Sequence, residues 1–294
     1  MARSFSANCY GFRLTNNGAE STFSQVTAPQ IAAIEAILQM YTEVCGLTFT
    51  RINPTGYTDN ATILFADYSA NDGAGAYAYY PGSTSSSSYA GDVWLNTSVS
   101  TTSLPTGGYS YFAIMHELGH AVGLSHPGVY NAGVGVSITY ANNAQFTQDT
   151  HQYSVMSYFD ESNTTGSYGS YPDTLMLYDV YALQQIYGAN NATRATDTVY
   201  GFNGNAGGVY NFTANTNPAM CIWDGGGIDT LNVSGYSQNQ VINLNGGTFS
   251  NIGGLTGNVS IAYGATIENA VCGAGSDSIY LYAGSINNSI DGGG

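Results

Sequence analysis

Basic residues are almost missing from this chain. Lys and Arg together number 4 in 294 residues, all of them arginine, against 19 acids, for a formal net charge of -15. Binding to nucleic acid or to an anionic membrane is thereby excluded, because both need basic patches. Charged residues of either sign make up only 8%. A halophilic surface would be crowded with carboxylates, whereas solubility here rests on Ser, Thr, Asn, Gly and Tyr, and calcium ligation accounts better for part of the acidity. No run approaches the roughly 18 apolar residues of a membrane span, and Met1-Ala2-Arg3-Ser4-Phe5 lacks the apolar core of a signal peptide. Cysteine is scarce as well: Cys9, Cys45, Cys221 and Cys272 show no CxxC or metal-like spacing. Pairs Cys9 with Cys45 and Cys221 with Cys272 would each stay within a domain, and free buried thiols are equally compatible.

Histidine numbers only 4, and three of these fall in His116-Glu117-Leu118-Gly119-His120-Ala121-Val122-Gly123-Leu124-Ser125-His126. Two histidines four apart lie side by side on one face of a helix and can chelate one ion. Glu117 flanks that ion without binding it, the position of a general base that holds and deprotonates a zinc-bound water. Gly123 can take positive φ, stop the helix and turn the chain so that His126 returns to the metal. Three protein ligands with an open fourth position are the pattern of catalytic zinc, whereas structural zinc has four closed, cysteine-rich ligands. The remaining histidine, His151, reads as a surface or loop residue.

Elongated HExxHxxGxxH sites of the metzincin class are followed by a methionine-containing turn beneath the zinc. Tyr153-Ser154-Val155-Met156-Ser157-Tyr158 stands about thirty residues on. Together with His126-Pro127-Gly128 and Tyr130-Asn131-Ala132-Gly133 it resembles the serralysins, bacterial secreted metzincin endopeptidases. At lower density the resemblance runs from about Phe23 to Asp277, through Ile186-Tyr187-Gly188-Ala189-Asn190, Asp197-Thr198-Val199-Tyr200-Gly201-Phe202 and Gly257-Asn258-Val259-Ser260-Ile261-Ala262.

The resemblance implies a secreted, monomeric zinc endopeptidase acting on extended polypeptides, with a protein inhibitor as a compatible further partner. It makes Tyr158 a further zinc ligand that swings away when substrate binds and then stabilises the oxyanion. It implies that Gly75-Ala76-Tyr77-Ala78-Tyr79-Tyr80-Pro81 contains the sheet's edge strand, along which substrate pairs through Ala76, Tyr77 and Ala78. It also implies structural calcium held by Arg194, Thr196 and Thr198 with Asp224, Gly226 and Asp229, and by Gly227 with Thr266 and Glu268; Thr196 stands where typical members have glycine. Export in this family uses a C-terminal signal. The competing reading is a non-catalytic relative that binds a surface, partner or glycan through a calcium-dependent C-terminal region.

The pattern along the chain predicts a helix from Thr27 to about Val44, capped by Thr27 and carrying the stripe Ile31, Ile34, Ile37, Leu38 and Tyr41. Short strands follow at Leu47-Arg51, Ile63-Tyr68, Ala76-Tyr80 and Asp92-Asn96, with a flexible loop over the Ser83-Ser88 run. The active-site helix is expected over Tyr109 to Val122. A third helix, near Asp173 to Tyr187, should turn Leu175, Val180, Leu183 and Ile186 toward a core and support the Met156 turn.

After Asn190 the character shifts to Gly, Asn and alternating β-formers. Cys272-Gly273-Ala274-Gly275-Ser276-Asp277-Ser278-Ile279-Tyr280 is one imperfect copy of the nonapeptide calcium repeat of RTX proteins, with Gly273, Gly275 and Asp277 as its ligand positions. A degraded copy is expected at Ala283-Asp291, with Asn288 in the aspartate position. The expected architecture is therefore an α+β metzincin catalytic domain over 1–190, a twisted mixed sheet beside the active-site helix. An all-β C-terminal domain over 191–294 would follow, a partial parallel β-roll or sandwich that looks incomplete where the chain stops.

Overall fold

A computed structural model describes residues 1–6, 22–54, 60–82, 89–99, 101–281, 284 and 288–293. Cys9, the Ser83-Ser88 run and part of the second repeat copy lie outside the described residues. The chain divides into two compact units, one of Met1–Thr42 with Gly46–Phe146 and one of Glu43–Cys45 with Thr147–Gly294.

The first unit contains β1 (Ala2–Ser6), α1 (Ala28–Val44, whose last two residues count with the other unit), β2 (Thr48–Arg51), β3 (Ile63–Tyr68), β4 (Ala76–Ala78), β5 (Val93–Asn96), α2 (Tyr109–Ala121) and the single turn α3 (Tyr140–Asn143). Its five strands run in the order β2-β1-β3-β5-β4. The pairs β1 with β2, β1 with β3 and β3 with β5 are parallel; β4 is antiparallel to β5 and forms one edge. Strand β3, Ile-Leu-Phe-Ala-Asp-Tyr, is buried at every position, as an inner parallel strand must be. Strand β1 was not foreseen, because Ala-Arg-Ser-Phe-Ser lacks a β-branched run; its place is set by pairing on both sides.

Helix α1 starts where the cap predicts. The Thr27 hydroxyl accepts from the Gln30 N–H at 3.4 Å, and the Gln30 side chain accepts from the Thr27 N–H at 2.7 Å, a reciprocal capping box. Its inner stripe Ile34, Ile37, Leu38 and Tyr41 is buried, and the Tyr41 hydroxyl donates to the Met115 carbonyl of α2 at 2.8 Å.

Among its described residues the second unit holds α4 (Leu177–Tyr187) and nine short strands: β6 (Val199–Gly201), β7 (Met220–Ile222), β8 (Thr230–Asn232), β9 (Val241–Asn243), β10 (Phe249–Ser250), β11 (Val259–Ile261), β12 (Asn269–Val271), β13 (Ser278–Tyr280) and β14 (Ile290–Asp291). One sheet, β14-β12-β8-β6, is parallel throughout; β13 pairs parallel with β9; β7 pairs parallel with β11, which pairs antiparallel with β10. Strands of two or three residues stack here because the turns between them are glycines. A Cβ at Gly201 would lie 2.0 Å from the Asn232 carbonyl oxygen, so no larger residue fits between these coils.

Helix α4 begins later than Asp173. The Asp173 carboxylate accepts from Ala219 N–H at 2.9 Å and the Thr174 hydroxyl from Cys221 N–H at 2.9 Å, so this stretch is held as irregular chain by its neighbours before the helix opens. Ile186, expected in a core, is 53% exposed, whereas Leu175, Val180 and Leu183 are buried. Cys221 and Cys272 are not bridged; both are buried thiols.

Candidate metal centre

Helix α2 is buried from Tyr111 to Ala121, so its histidines are carried by a rigid, enclosed element. The helix stops at Val122, whose N–H reaches the Leu118 carbonyl at 3.0 Å; Gly123 then takes φ +104, and the Leu124 N–H returns to the Gly119 carbonyl at 2.8 Å. A left-handed residue at this point is what folds the chain back over the last turn.

The result is convergence. His116 Nε2 lies 3.1 Å and His120 Nε2 3.0 Å from His126 Nε2, and ligand atoms of the three rings all lie within 4.8 Å of one another. Their far nitrogens explain why. His120 Nδ1 sits 2.8 Å from the Leu124 carbonyl and His126 Nδ1 2.7 Å from the Tyr130 carbonyl. A carbonyl only accepts, so each Nδ1 carries the hydrogen and each Nε2 of a neutral ring presents a bare lone pair. Burial keeps the rings neutral: it pushes His120 down to about 4 and His126 downward, against the opposing carbonyl bonds. Lone pairs aimed at one another at 3.0 Å repel unless a cation stands among them, so the donor set fits a metal ion of the kind that takes imidazole.

Glu117 follows the first histidine and is 7% exposed. Burial pushes its carboxyl up to about 8. The Tyr80 ring packs edge-on to His120 with centroids 5.4 Å apart, and the Tyr130 ring stacks on His126 at 5.2 Å.

Residues 12–176 match the family model described as "Metallo-peptidase family M12", and residues 189–293 match "Peptidase M10 serralysin C terminal". The two descriptions carry different family numbers. Relatives that align along most of the chain settle the matter. The chain is 45% identical over 261 residues to Serralysin B of Dickeya chrysanthemi, covering 85% of this chain and 53% of that protein. It is 46% identical over 270 residues to Metallopeptidase AprA of Pseudomonas marginalis, covering 88% and 55%. It is 42% identical over 263 residues to a serralysin of Photorhabdus sp. (strain Az29), covering 87% and 53%. The chain belongs to the serralysin family of metallopeptidases. It spans about half the length of these relatives.

The other residues singled out from the serralysin resemblance are placed as follows. Ala76, Tyr77 and Ala78 are β4, which pairs with β5 and is the last strand of the sheet on that side among the described strands. Met156 is buried and Tyr158 half-buried, in a turn held by two carboxylates. Asp179 accepts from the Ser154 hydroxyl at 2.6 Å, from Val155 N–H at 2.8 Å and from Met176 N–H at 2.9 Å. Asp149 accepts from the Ser157 hydroxyl at 2.7 Å. Sequence gives neither carboxylate a role in holding this turn, since a lone Asp carries no spacing signal. His151 lies in a turn, one of its two expected places, but not at the surface: it is buried at 7% exposure, and burial pushes it down to about 4.

The residues expected to hold calcium are placed as follows. The Thr198 hydroxyl donates to the Thr196 carbonyl at 2.7 Å and lies 3.5 Å from the Arg194 carbonyl. The Arg194 side chain turns away, to Glu43 and to the Trp223 carbonyl, under a backbone at φ +46. Asp229 Oδ1 accepts from Thr198 N–H at 2.8 Å, while Oδ2 is buried with no hydrogen-bond partner. Burial pushes Asp229 up to about 7, and the charges of Asp224 and Glu268 add to this. Gly226 N–H donates to Asp224 at 2.8 Å and Asp229 N–H to Glu268 at 2.8 Å. Gly227 packs against the 196–197 backbone, where a Cβ would lie 2.7 Å from the Thr196 carbonyl carbon; Thr266 is half-buried. A buried carboxylate oxygen without a hydrogen-bond partner, near the charges of Asp224 and Glu268, fits a hard cation. Farther along, both oxygens of Asp277 are taken by the N–H groups of Gln240 at 2.7 Å and Gly273 at 3.1 Å, and Gly275 closes on the Gln238 carbonyl.

Proposed function

We propose that this protein is a secreted zinc endopeptidase that hydrolyses peptide bonds of extended polypeptides, with His116, His120 and His126 as zinc ligands. The convergence of the three Nε2 atoms carries the reading. Zinc at that point supplies a Lewis acid that polarises a carbonyl and brings the pKa of water down to about 7. Glu117 takes the proton of the attacking water and passes it to the leaving amine. A carboxyl raised toward neutrality by burial is suited to both transfers. Tyr158, by the serralysin resemblance, is a further zinc ligand at rest and a hydrogen-bond donor to the developing oxyanion, and Met156 forms the turn beneath. The edge strand β4, at Ala76, Tyr77 and Ala78, pairs with substrate main chain, by the serralysin resemblance, and so binds peptides with little side-chain demand.

The catalytic domain of this reading is a metzincin fold over 1–190, and 191–294 is a β-roll-like domain holding one or more structural calcium ions. Arg194, Thr196, Thr198, Asp224, Gly226 and Asp229 form one calcium set, Gly227, Thr266 and Glu268 another, and Gly273, Gly275 and Asp277 a repeat-type set. Among the described residues no helix is long and apolar enough to cross a membrane. The deciding experiment pairs metal analysis with Glu117→Ala: zinc is retained at one per chain and cleavage of unfolded casein disappears. Casein cleavage that survives the substitution would sink the assignment.

A further inference from the structure

Asn96, the last residue of β5, is 3% exposed and turns both polar atoms of its side chain to backbone. Its Oδ1 accepts from the Ser98 N–H at 2.9 Å, which sets the orientation of the amide. Its Nδ2 donates to the Ala70 carbonyl at 2.8 Å and the Ala74 carbonyl at 3.1 Å, with Asp72 Oδ1 at 3.5 Å. The Asn96 N–H adds a bond to the Gly75 carbonyl at 2.9 Å. One residue thus closes the loop 70–75 that leads into β4. That loop borders an open cavity of about 850 Å³, lined by Ser69, Gly73, Thr97 and Tyr109 among others, so no packed core backs it on that side. Loop and strand meet the chain that carries the histidine triad at both ends. At Gly73, φ +79, a Cβ would lie 3.0 Å from the Val134 nitrogen, in the segment after His126; at Gly75 it would lie 2.5 Å from the Tyr109 hydroxyl, where α2 begins. Beyond β4, the Tyr80 ring meets His120 with centroids 5.4 Å apart, and Pro81 comes within 3.6 Å of the Cβ position at Gly123. The place of β4 along the metal centre is therefore set by packing at one end and by the Asn96 amide at the other.

We propose that Asn96 is a positioning residue for substrate: its carboxamide holds the 70–75 loop and so sets where β4 stands against the histidine triad. This rests on the reading of β4 as the strand that pairs with substrate. The triad itself does not depend on Asn96, since His120 and His126 are oriented by the Leu124 and Tyr130 carbonyls. Loss of the amide takes a donor from the Ala70 and Ala74 carbonyls and frees the start of the strand. A peptide then pairs with a strand that must first be ordered. That cost falls on ground state and transition state alike, so KM rises at unchanged kcat. Two hydrogen bonds of ordinary strength correspond to about tenfold.

The test measures kcat and KM of the zinc-loaded protein on peptides that share one cleavage site and are truncated stepwise from either end. Asn96→Ala should raise KM about tenfold for the longest peptide, at a kcat within about twofold and with zinc content unchanged. For the shortest peptides, which end before β4, KM should stay as it is. Amide exchange over 70–78, read without substrate, should quicken. Should Asn96→Ala not fold, Gly73→Ala displaces the same loop from the backbone it packs on while leaving the amide in place, and must flatten the length dependence in the same way. Any of four results in the folded variant overturns the proposal: an unchanged KM for the longest peptide, a KM raised equally at every length, a fall in kcat instead, or a lower melting temperature as the only effect. The wild-type protein separates the two readings. If its KM does not fall as the peptide lengthens, the assignment of β4 has failed and takes this proposal with it; if KM falls with length equally in wild type and Asn96→Ala, the positioning role alone has failed.

Discussion

Asp179 holds the backbone N–H of Val155 with one carboxylate oxygen, 2.8 Å away, while its other oxygen takes the Ser154 hydroxyl at 2.6 Å. The same carboxylate caps α4 by accepting from Met176 N–H at 2.9 Å. One buried side chain therefore ties the start of a helix to the turn that carries Met156. Asp179→Ala leaves two buried N–H donors without an acceptor, and each such loss costs about 1–3 kcal/mol. Removal of a desolvated charge offsets part of this, so urea unfolding should show a loss of about 2–4 kcal/mol. A change under about 0.5 kcal/mol would mean that the turn is not held from α4.

Asp67 offers a pH test in the other unit. It is 2% exposed, its carboxylate accepts from the Gln30 side chain at 2.8 Å, and burial, opposed by that bond, pushes it up to about 6 from 3.8. The folded state thus binds this proton more tightly than the unfolded chain. The group's favourable contribution is complete below pH 3.8 and is lost as pH rises through about 6. Asp67→Asn removes the titration and keeps a partner for Gln30. The variant should be about 1–2 kcal/mol more stable than the parent at pH 8, and the difference should vanish near pH 4. A difference that is flat from pH 4 to 8 would falsify the assignment of the raised carboxyl.

How much of this was readable in advance depends on whether a residue's role is local. The histidine triad was legible because helix periodicity and one glycine fix its geometry within eleven residues. Thr27 with Gln30, the stripe of α1 and strand β3 were legible for the same reason. Strand β1 was not, since Ala-Arg-Ser-Phe-Ser acquires its conformation by pairing with β2 and β3. Nor were the roles of Asp179 and Asp149, which lie in contacts made in the folded chain. The late start of α4 has a similar origin: Ala219 and Cys221 claim the side chains of Asp173 and Thr174 from 45 or more residues away.

Gly123 is the residue on which the third ligand depends. At φ +104 a Cβ meets nothing closer than the Pro81 side chain at 3.6 Å, so the cost of Gly123→Ala is backbone strain rather than collision. Forcing an L side chain into such a conformation costs about 1–3 kcal/mol. The variant should relax by moving Leu124 and His126, and competition with a chelator should show zinc affinity lower by about tenfold or more. Unchanged affinity would show that His126 reaches the metal without the turn.

The cysteines can be checked chemically. Burial pushes the Cys221 thiol up to about 12 and that of Cys272 upward, and the two are 2% and 1% exposed. A thiol that is protonated and enclosed is a poor nucleophile. In native protein at pH 8 neither should take up iodoacetamide, whereas both should be labelled in denaturant without a reductant. A peptide linking Cys221 to Cys272 under non-reducing digestion would contradict the unbridged state.

Asp229 joins the charge pattern of the whole chain to one site. Its Oδ2 is buried without a hydrogen-bond partner, its pKa is raised to about 7 by burial first and then by Asp224 and Glu268, and its Oδ1 holds the Thr198 N–H. A cation bound there gives the orphaned oxygen a partner and cancels repulsion between like charges, so binding and folding of the segment are linked. Calcium titrated into chelator-treated protein should slow amide exchange over 194–198 and 224–229 and raise the melting temperature. Asp229→Asn keeps an acceptor for the Thr198 N–H yet removes a charge, so it should abolish the calcium response while costing little in calcium-free buffer. Zinc content should be unaffected in the same samples, which separates this site from the histidine triad. An undiminished calcium response in Asp229→Asn would place the ion elsewhere.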